Sequence, residues 1–288
     1  MPRQARIALL GAATGAALLA LTWYLTHYSA PLRRADMSIL SGFEAMQRPR
    51  LNWIANRIAG LCDPGPYALL AAIPIGVSLV RRRMRVAAAI AVVLLGASAT
   101  TELVLKPLLV GPRDLAPGGT VSWASMPSGH ATAAMALALC CVIAAPPRRR
   151  PLVAAAMGAF AVAVCWSFLV LGWHYPSDVL AGFLVSAIWA LGAVASLWTL
   201  EARLAGRPRR AARRRTVGSA APSVRQALAP SAVLVAGAVA AVALMLIARR
   251  DSVVAFAGGH TAVMVGAGAI GVLGLALQTG MALILRRA

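Results

Sequence analysis

Charged and aromatic residues are scarce in this chain of 288 residues. Only 12% of the residues are charged and 6% are aromatic, whereas 60% are hydrophobic. This balance differs greatly from that of a soluble globular domain and argues against a soluble enzyme. Cysteine is also rare, and because Cys140, Cys141 and Cys165 lie inside apolar runs, the four cysteines do not indicate a disulfide framework. The composition predicts an all-α, polytopic membrane protein.

Lysine is almost absent, although the formal net charge is +20. Of the 28 basic residues, 27 are arginine, and the one lysine is Lys106. A compact ammonium group and a planar guanidinium group are not interchangeable in binding. Lys106 is therefore a candidate for a role that arginine cannot fill, with chance retention as the alternative.

Long apolar runs predict eight membrane-spanning helices, because about 20 apolar residues cross a bilayer core of roughly 30 Å. The second run is short and contains Pro74. The first run also resembles a signal peptide, with Arg3 and Arg6 before it and Ala30 at a possible cleavage site, but it is too long for one, so a retained helix is expected. The predicted spans are residues 7–27, 66–80, 86–106, 129–145, 152–172, 177–199, 231–248 and 259–285.

The distribution of basic residues predicts the orientation of these spans. With the N-terminus in the cytoplasm, 19 basic residues lie inside and nine lie outside, so both termini are expected to be cytoplasmic. Residues 29–64 suit a helix in the outer interface. The chain divides into a six-span core (1–199), a basic cytoplasmic linker (200–230) and a two-span appendix (231–288). The linker is expected to contact anionic lipid and not nucleic acid.

Three polar clusters lie at the predicted outer ends of the spans, where polar groups in a membrane protein are costly. They are the segments ELVLKPLLVGPRD (102–114), PSGH (127–130) and SFLVLGWHYPSD (167–178). Each has a structural explanation: Glu102 and Lys106 suit a helical ion pair, Ser128 suits a helix cap, and Asp178 suits the cap of the sixth span. Three such clusters at one membrane depth are better explained by a shared site.

The residue types in these clusters suit the cleavage of a phosphate ester. Lys106 and Arg113 supply positive charge, and a helix that begins at Gly129 supplies backbone N–H donors for an anion. An imidazole held by a carboxylate, as the spacing of His174 and Asp178 allows, can take the phosphoryl group. A second imidazole can then protonate the leaving group. The pattern contains neither a metal-binding spacing nor a cofactor motif, so we expect no metal and no cofactor.

The segments KPLLVGPR, PSGH and S-x6-H-x-x-x-D resemble the three motifs of the type-2 phosphatidic acid phosphatase superfamily. This superfamily also includes glucose 6-phosphatase and the vanadium haloperoxidases, and the resemblance covers residues 7–199. It implies metal-independent hydrolysis through a phosphohistidine. The residues that it assigns are Lys106, Arg113, Ser128 and Gly129 as phosphate ligands, His130 as general acid, His174 as nucleophile and Asp178 as the partner of His174.

The chain departs from the family pattern at two positions. Phe168 stands where the third motif has a phosphate-binding arginine, and Asp114 stands where a proline follows the arginine of the first motif. Loss of one charge-stabilising donor typically costs a factor of about 10² to 10³ in rate. The main hypothesis is a membrane phosphatase that acts on a lipid phosphate or diphosphate at the outer leaflet. The alternatives are a lipid phosphotransferase and a catalytically retired protein that binds a phospholipid.

Overall fold

The computed structural model describes residues 1–111, 121–205 and 223–286, and these residues contain α-helices and no β-strand. A 3-10 turn (Gly60–Cys62) lies between α3 and α4, and a π-helical turn (Thr100–Leu105) lies between α5 and α6. In chain order the helices are α1 (Arg3–Tyr28), α2 (Ala30–Glu44), α3 (Pro49–Ala59), α4 (Pro64–Val80), α5 (Met84–Ala99), α6 (Lys106–Leu108), α7 (Gly129–Ala144), α8 (Arg150–Val170), α9 (Pro176–Ala205), α10 (Val224–Ala248), α11 (Arg250–Gly259) and α12 (Thr261–Arg286).

Six helical segments of the described chain are long and apolar enough to cross a membrane. A seventh is present if the bent pair Pro49–Cys62 and Pro64–Val80, whose axes differ by 57°, forms one broken span. The prediction of an all-α, polytopic membrane protein is thereby confirmed. The six segments are Arg3–Tyr28, Met84–Leu108, Arg150–Val170, Pro176–Leu204, Val224–Ala248 and Thr261–Arg286.

All eight predicted spans fall on helices, but two of these helices are too short to count as membrane spans on their own. The second predicted span is α4, the second half of the bent pair. The fourth is α7, whose 16 residues reach about 24 Å at 1.5 Å per residue, which is less than the roughly 30 Å of the hydrocarbon core. In α7, 13 side chains are buried, so apolarity there reflects packing inside the protein.

Helix α7 forms the centre of the bundle and contacts α4, α5, α8, α9 and α12. Its N-terminus lies very close to α9 at Gly182. A Cβ atom at Gly182 would lie 2.9 Å from the Ser128 carbonyl oxygen and 2.9 Å from the Thr132 nitrogen. The absence of a side chain at Gly182 therefore allows the two helices to meet at the position where the PSGH segment begins α7.

The boundaries of the predicted linker and appendix differ from those of the helices. α9 continues to Ala205 and α10 begins at Val224, so both helices extend into the predicted linker, and residues 206–222 lie outside the described residues. α12 packs against α2, α7, α8 and α9, and its buried side chains join the main hydrophobic core. The appendix thus shares the core through α12, and its separation as a unit stays a prediction.

The stretch between the first two predicted spans contains two helices, α2 and α3. α2 packs against α12, α8 and α1, while α3 packs against α8. A 3-10 turn and Asp63 then connect α3 to α4 at the bend of the broken pair. The bend places Asp63 beside the end of α7 that carries His130.

Candidate active site

The three polar clusters meet at one end of the bundle. Lys106 begins α6, Gly129 begins α7, and His174 lies just before α9. A single cavity of about 730 Å³ is lined by Lys106, Gly129, His130 and His174. The structure therefore brings together the described members of the predicted site. Arg113 and Asp114 lie outside the described residues.

A π-helical turn positions Lys106. The turn covers Thr100–Leu105 and inserts extra backbone before the lysine, an irregularity that is common at functional sites. Two hydrogen bonds fix it to neighbouring helices. The Thr101 and Thr132 hydroxyls lie 3.1 Å apart, and the Trp189 indole N–H donates to the Thr100 hydroxyl at 3.2 Å. The turn thus orients the lysine relative to both α7 and α9.

Glu102 binds Lys106 at the N-terminus of α7. The ammonium group donates to both carboxylate oxygens, at 2.9 and 2.8 Å, so the predicted helical ion pair is present. A Cβ atom at Gly129 would overlap the Glu102 carboxylate oxygen Oε1. This carboxylate thus lies where the N–H groups at a helix N-terminus attract an anion. A phosphate would compete with Glu102 for this position.

Ser128 has a structural role in this arrangement. Its side-chain oxygen accepts a hydrogen bond from the Ala131 N–H at 3.3 Å and so caps α7, as the alternative interpretation proposed. Its own N–H donates to the Asp178 backbone carbonyl at 3.0 Å, and the residue is fully buried. Ser128 therefore joins the second and third motifs, and its role as a phosphate ligand stays a prediction.

His174 and Asp178 lie side by side at the start of α9. The distance from His174 Nδ1 to Asp178 Oδ2 is 3.5 Å, and Nδ1 makes no hydrogen bond to any described residue. Asp178 is fully buried, and its Oδ2 accepts the Tyr175 N–H at 3.0 Å. Such separations often shorten when a substrate binds. Because Nδ1 faces the carboxylate, Nε2 is the imidazole nitrogen that remains available for a phosphoryl group.

The turn that presents His174 depends on a glycine. Gly172 follows α8 with a φ of 74°, a left-handed conformation that glycine adopts without strain. A Cβ atom there would also overlap the Glu44 carboxylate of α2. Burial raises the pKa of the Glu44 carboxyl group. The loop before α9 is therefore packed tightly against α2.

His130 has a carboxylate partner, Asp63, that the sequence motifs do not reveal. Its Nε2 lies 3.2 Å from Asp63 Oδ1, and the two side chains are 24% and 55% exposed. Asp63 also lines the 730 Å³ cavity. The available signal was the segment DPGP, in which an aspartate precedes a proline-initiated helix, but nothing in the spacing connects residue 63 with residue 130. Among the described residues, no group of three or more His, Cys, Asp or Glu side chains forms a candidate metal site.

Phe168 occupies the position at which the third motif usually has arginine. The side chain is fully buried, and its ring centroid lies 5.3 Å from that of His174 and 6.0 Å from that of His130. Phe168 thus packs on both imidazoles from the protein interior and is not among the residues that line the cavity. It supplies van der Waals contacts that restrict the two rings, and it supplies no hydrogen-bond donor to an anion.

The cavity continues from the polar cluster into an apolar channel. Its walls come from α4, α5 and α7, and the channel is built largely from small and aliphatic side chains. Residues in these walls include Ala68, Ala71, Ala72, Ile75, Leu94 and Leu95. The site thus combines a charged end with an apolar end, as the binding of an amphiphile requires.

Comparisons with known proteins agree with the motifs. Residues 87–202 match the family model of the PAP2 superfamily, which confirms the family resemblance. Phosphatidylglycerophosphatase B of Escherichia coli (strain K12) is 43% identical to this chain over 82 residues. These residues are 28% of this chain and 31% of that protein, and the protein of the same name from Shigella flexneri gives the same values. The match therefore spans less than a third of these relatives' length.

A solved structure shares the fold. The crystal structure of a transmembrane PAP2-type phosphatidylglycerolphosphate phosphatase from Bacillus subtilis aligns with a TM-score of 0.55 and 23% sequence identity. The alignment covers 66% of this chain and 96% of that chain. The shared architecture is thus that of a helical membrane protein.

Proposed function

We propose that this chain is an integral membrane phosphatase that hydrolyses a lipid phosphate or diphosphate through a phosphohistidine on His174, without a metal ion. The observation that carries the proposal is the single cavity that joins Lys106, Gly129, His130 and His174 to an apolar channel. A lipid phosphate has the matching division into an anionic head and an apolar tail. The superfamily match supports the reaction class.

Substrate binding begins with the exchange of one anion for another. The phosphate replaces the Glu102 carboxylate beside Lys106 and at the N-terminus of α7, a helix of 16 residues. Arg113 is expected to add a second positive charge. These groups neutralise the phosphoryl oxygens, so the proposed reaction does not require a metal for charge stabilisation.

In the first chemical step, His174 Nε2 attacks phosphorus and the bond between phosphorus and the lipid oxygen breaks. His130 gives its proton to the leaving oxygen. Asp178 holds Nδ1 of His174, which fixes the orientation of the ring and stabilises the positive charge that forms on it. In the second step, water gives a proton to His130 and attacks phosphorus, the nitrogen–phosphorus bond breaks, and inorganic phosphate leaves.

Asp63 acts in this scheme as a positioning residue for His130. It accepts a hydrogen bond from the imidazole at 3.2 Å and thereby favours the protonated ring that the first step consumes. It lies at the bend between α3 and α4, so the geometry of the bend sets the position of the proton donor.

The proposed site lies at the outer face of the cell membrane, with both termini in the cytoplasm. This orientation rests on the excess of basic residues at the opposite end of the helices. The test is to replace the four native cysteines with alanine, introduce a single cysteine at Arg6 or at Asp251, and label intact cells with a membrane-impermeant reagent. We expect labelling at residue 251 only, and labelling at residue 6 would contradict the orientation.

Phosphate release by the purified full chain tests the enzymatic proposal. Phosphatidylglycerol phosphate is the first substrate to test, because the similar proteins carry its name, followed by phosphatidic acid and a polyprenyl diphosphate. We expect release that persists in EDTA and is lost in the His174→Ala variant. An added acceptor alcohol distinguishes the transferase, because a transferase moves labelled phosphate to the alcohol and not to water. No release by folded protein on any of these lipids would contradict the proposal.

A further inference from the structure

A second cavity lies at the end of the bundle opposite to the candidate active site. Its volume is about 380 Å³, and it forms where the C-terminal ends of α7, α9 and α12 meet the beginning of α5 and of α8. Three arginines line it, Arg83, Arg150 and Arg286, together with Glu201. Aliphatic side chains such as Leu197 form its inner wall. This cavity shares no residue with the candidate active site.

These three arginines are less exposed than the other described arginines at the same end of the bundle. Arg83, Arg150 and Arg286 are half-buried, and all three converge on this one cavity. A general excess of positive charge at a membrane face explains exposed arginines but not their burial around a common space. The other described arginines at this end are exposed: Arg3, Arg6, Arg81, Arg82, Arg85, Arg148, Arg149, Arg203 and Arg225.

The hydrogen bonds of Arg83 and Arg150 bring no opposite charge to either guanidinium group. Arg83 donates to the Ala144 carbonyl at 3.3 Å, and Arg150 donates to the Leu285 and Ala145 carbonyls at 2.7 and 3.3 Å. Carbonyl groups are neutral, and each guanidinium has five N–H donors. Burial and the charge of Arg81 lower the pKa of Arg83, while Glu201 raises it.

Among the residues that the structure describes, Glu201 is the one carboxylate that lines the cavity, against three arginines. No other acidic residue occurs in the arginine-rich segments that the topology assigns to this face. Half-buried Arg83 and Arg150 thus donate to neutral carbonyls in this cavity, and an anion with several acceptor oxygens would balance their charge. Forked guanidinium donors are well suited to phosphate oxygens.

We propose that this cavity binds a phosphate-bearing anion, and that the anion is the headgroup of an anionic phospholipid. The aliphatic wall and the position at the ends of the spanning helices favour a headgroup with a tail over free phosphate. Because Arg286 and Leu285 belong to α12, the bound headgroup links α12 to α7 and α8 of the core. The site gives the two C-terminal spans a role in a lipid-dependent assembly, independently of the proposed catalysis.

Thermal unfolding of the delipidated full chain in detergent tests this inference, with phosphatidylserine, phosphatidylcholine or inorganic phosphate added in increasing amounts. We expect phosphatidylserine to raise the unfolding midpoint and phosphatidylcholine to have little effect. The variant with Arg83→Gln and Arg150→Gln should need roughly fivefold more lipid for each lost arginine. Arg6→Gln, an exposed arginine at the same face, is the matched control and should respond like the unchanged protein.

A further variant keeps the test informative if the double variant does not fold. Glu201→Gln retains all three arginines and removes the competing carboxylate, so it should bind phosphatidylserine more tightly, by roughly fivefold. An equal response to inorganic phosphate, lost in the arginine variant, would support the cavity as a phosphate site and identify free phosphate as its ligand. Equal stabilisation by phosphatidylcholine, or an unchanged response in both the arginine and the Glu201 variants, would overturn the proposal.

Discussion

Replacing Glu102 with glutamine tests how the free site keeps Lys106 in place before a phosphate arrives. In the structure both carboxylate oxygens bind the Lys106 ammonium group, and the carboxylate lies against Gly129 at the N-terminus of α7. A bound phosphate needs the same ammonium group and the same N–H donors. Glutamine has nearly the same shape but no charge, so it should release Lys106 more easily to the incoming phosphate.

The exposure of the pair sets the size of the effect. The Lys106 side chain is 23% exposed and that of Glu102 is 47% exposed, with an oxygen–nitrogen distance of 2.8 Å. A solvent-exposed pair of this kind contributes about 0.2 to 1 kcal/mol. Phosphate binding should therefore tighten by a factor of about 1.4 to 5 when the charge of Glu102 is removed. Reduced repulsion between carboxylate and phosphate acts in the same direction.

Competitive inhibition by inorganic phosphate measures this change. We expect the inhibition constant and KM to fall together in Glu102→Gln, with kcat changed little, because the lost interaction exists only in the free enzyme. Glu201→Gln, at the opposite end of the bundle, is the matched control and should leave the inhibition constant unchanged. A higher inhibition constant in Glu102→Gln would refute the reasoning, because it would mean that Glu102 positions Lys106 for phosphate.

Three other substitutions examine the proton donor, the packing and the unusual aromatic residue. In Asp63→Asn, the carboxylate that favours protonated His130 is gone, so kcat/KM should decline at a lower pH than in the unchanged protein. An unchanged pH profile would exclude the role of Asp63 in positioning the proton donor. Gly182→Ala should reduce the free energy of unfolding by about 1 to 3 kcal/mol in a denaturation experiment, because the new Cβ lies 2.9 Å from a backbone oxygen at the start of α7. Gly192→Ala on the same helix has open space and should keep or slightly raise the free energy of unfolding. Phe168→Arg places a charge at a fully buried position, so without an anion it should lower the unfolding midpoint more than Phe168→Leu does. Inorganic phosphate should then stabilise Phe168→Arg more than Phe168→Leu. Equal stabilisation of the two variants would show that the arginine does not reach the anion.

The helices were largely predictable because membrane spans need long apolar runs, and all eight runs are helical in the described chain. Length and burial were harder to predict. The run at 129–145 is as apolar as a lipid-facing span, but it is a 16-residue helix at the centre of the bundle. Apolarity alone does not distinguish a side chain that faces lipid from one that faces other helices. The bend at Asp63 also has no signal in hydropathy.

The candidate site was predictable where its residues lie close in the chain. The spacing of His174 and Asp178 places them on one turn, and PSGH places a capped helix start beside His130. The contact between His130 and Asp63 joins residues that are 67 positions apart, and it depends on how the bent pair packs against α7. The sequence shows that Phe168 replaces the arginine of the third motif. Only the three-dimensional structure shows that the Phe168 ring packs on both imidazoles.

Trapping of the covalent intermediate tests the proposed mechanism most directly. The purified chain is mixed with a lipid phosphate labelled with ³²P, quenched within milliseconds in alkali, and digested to locate the label. The mechanism predicts a label that survives alkali, is released by acid and lies on the peptide that contains His174, and no label in the His174→Ala variant. Phosphate release without any labelled protein, or a label that persists in the His174→Ala variant, would contradict the assignment of His174 as the nucleophile.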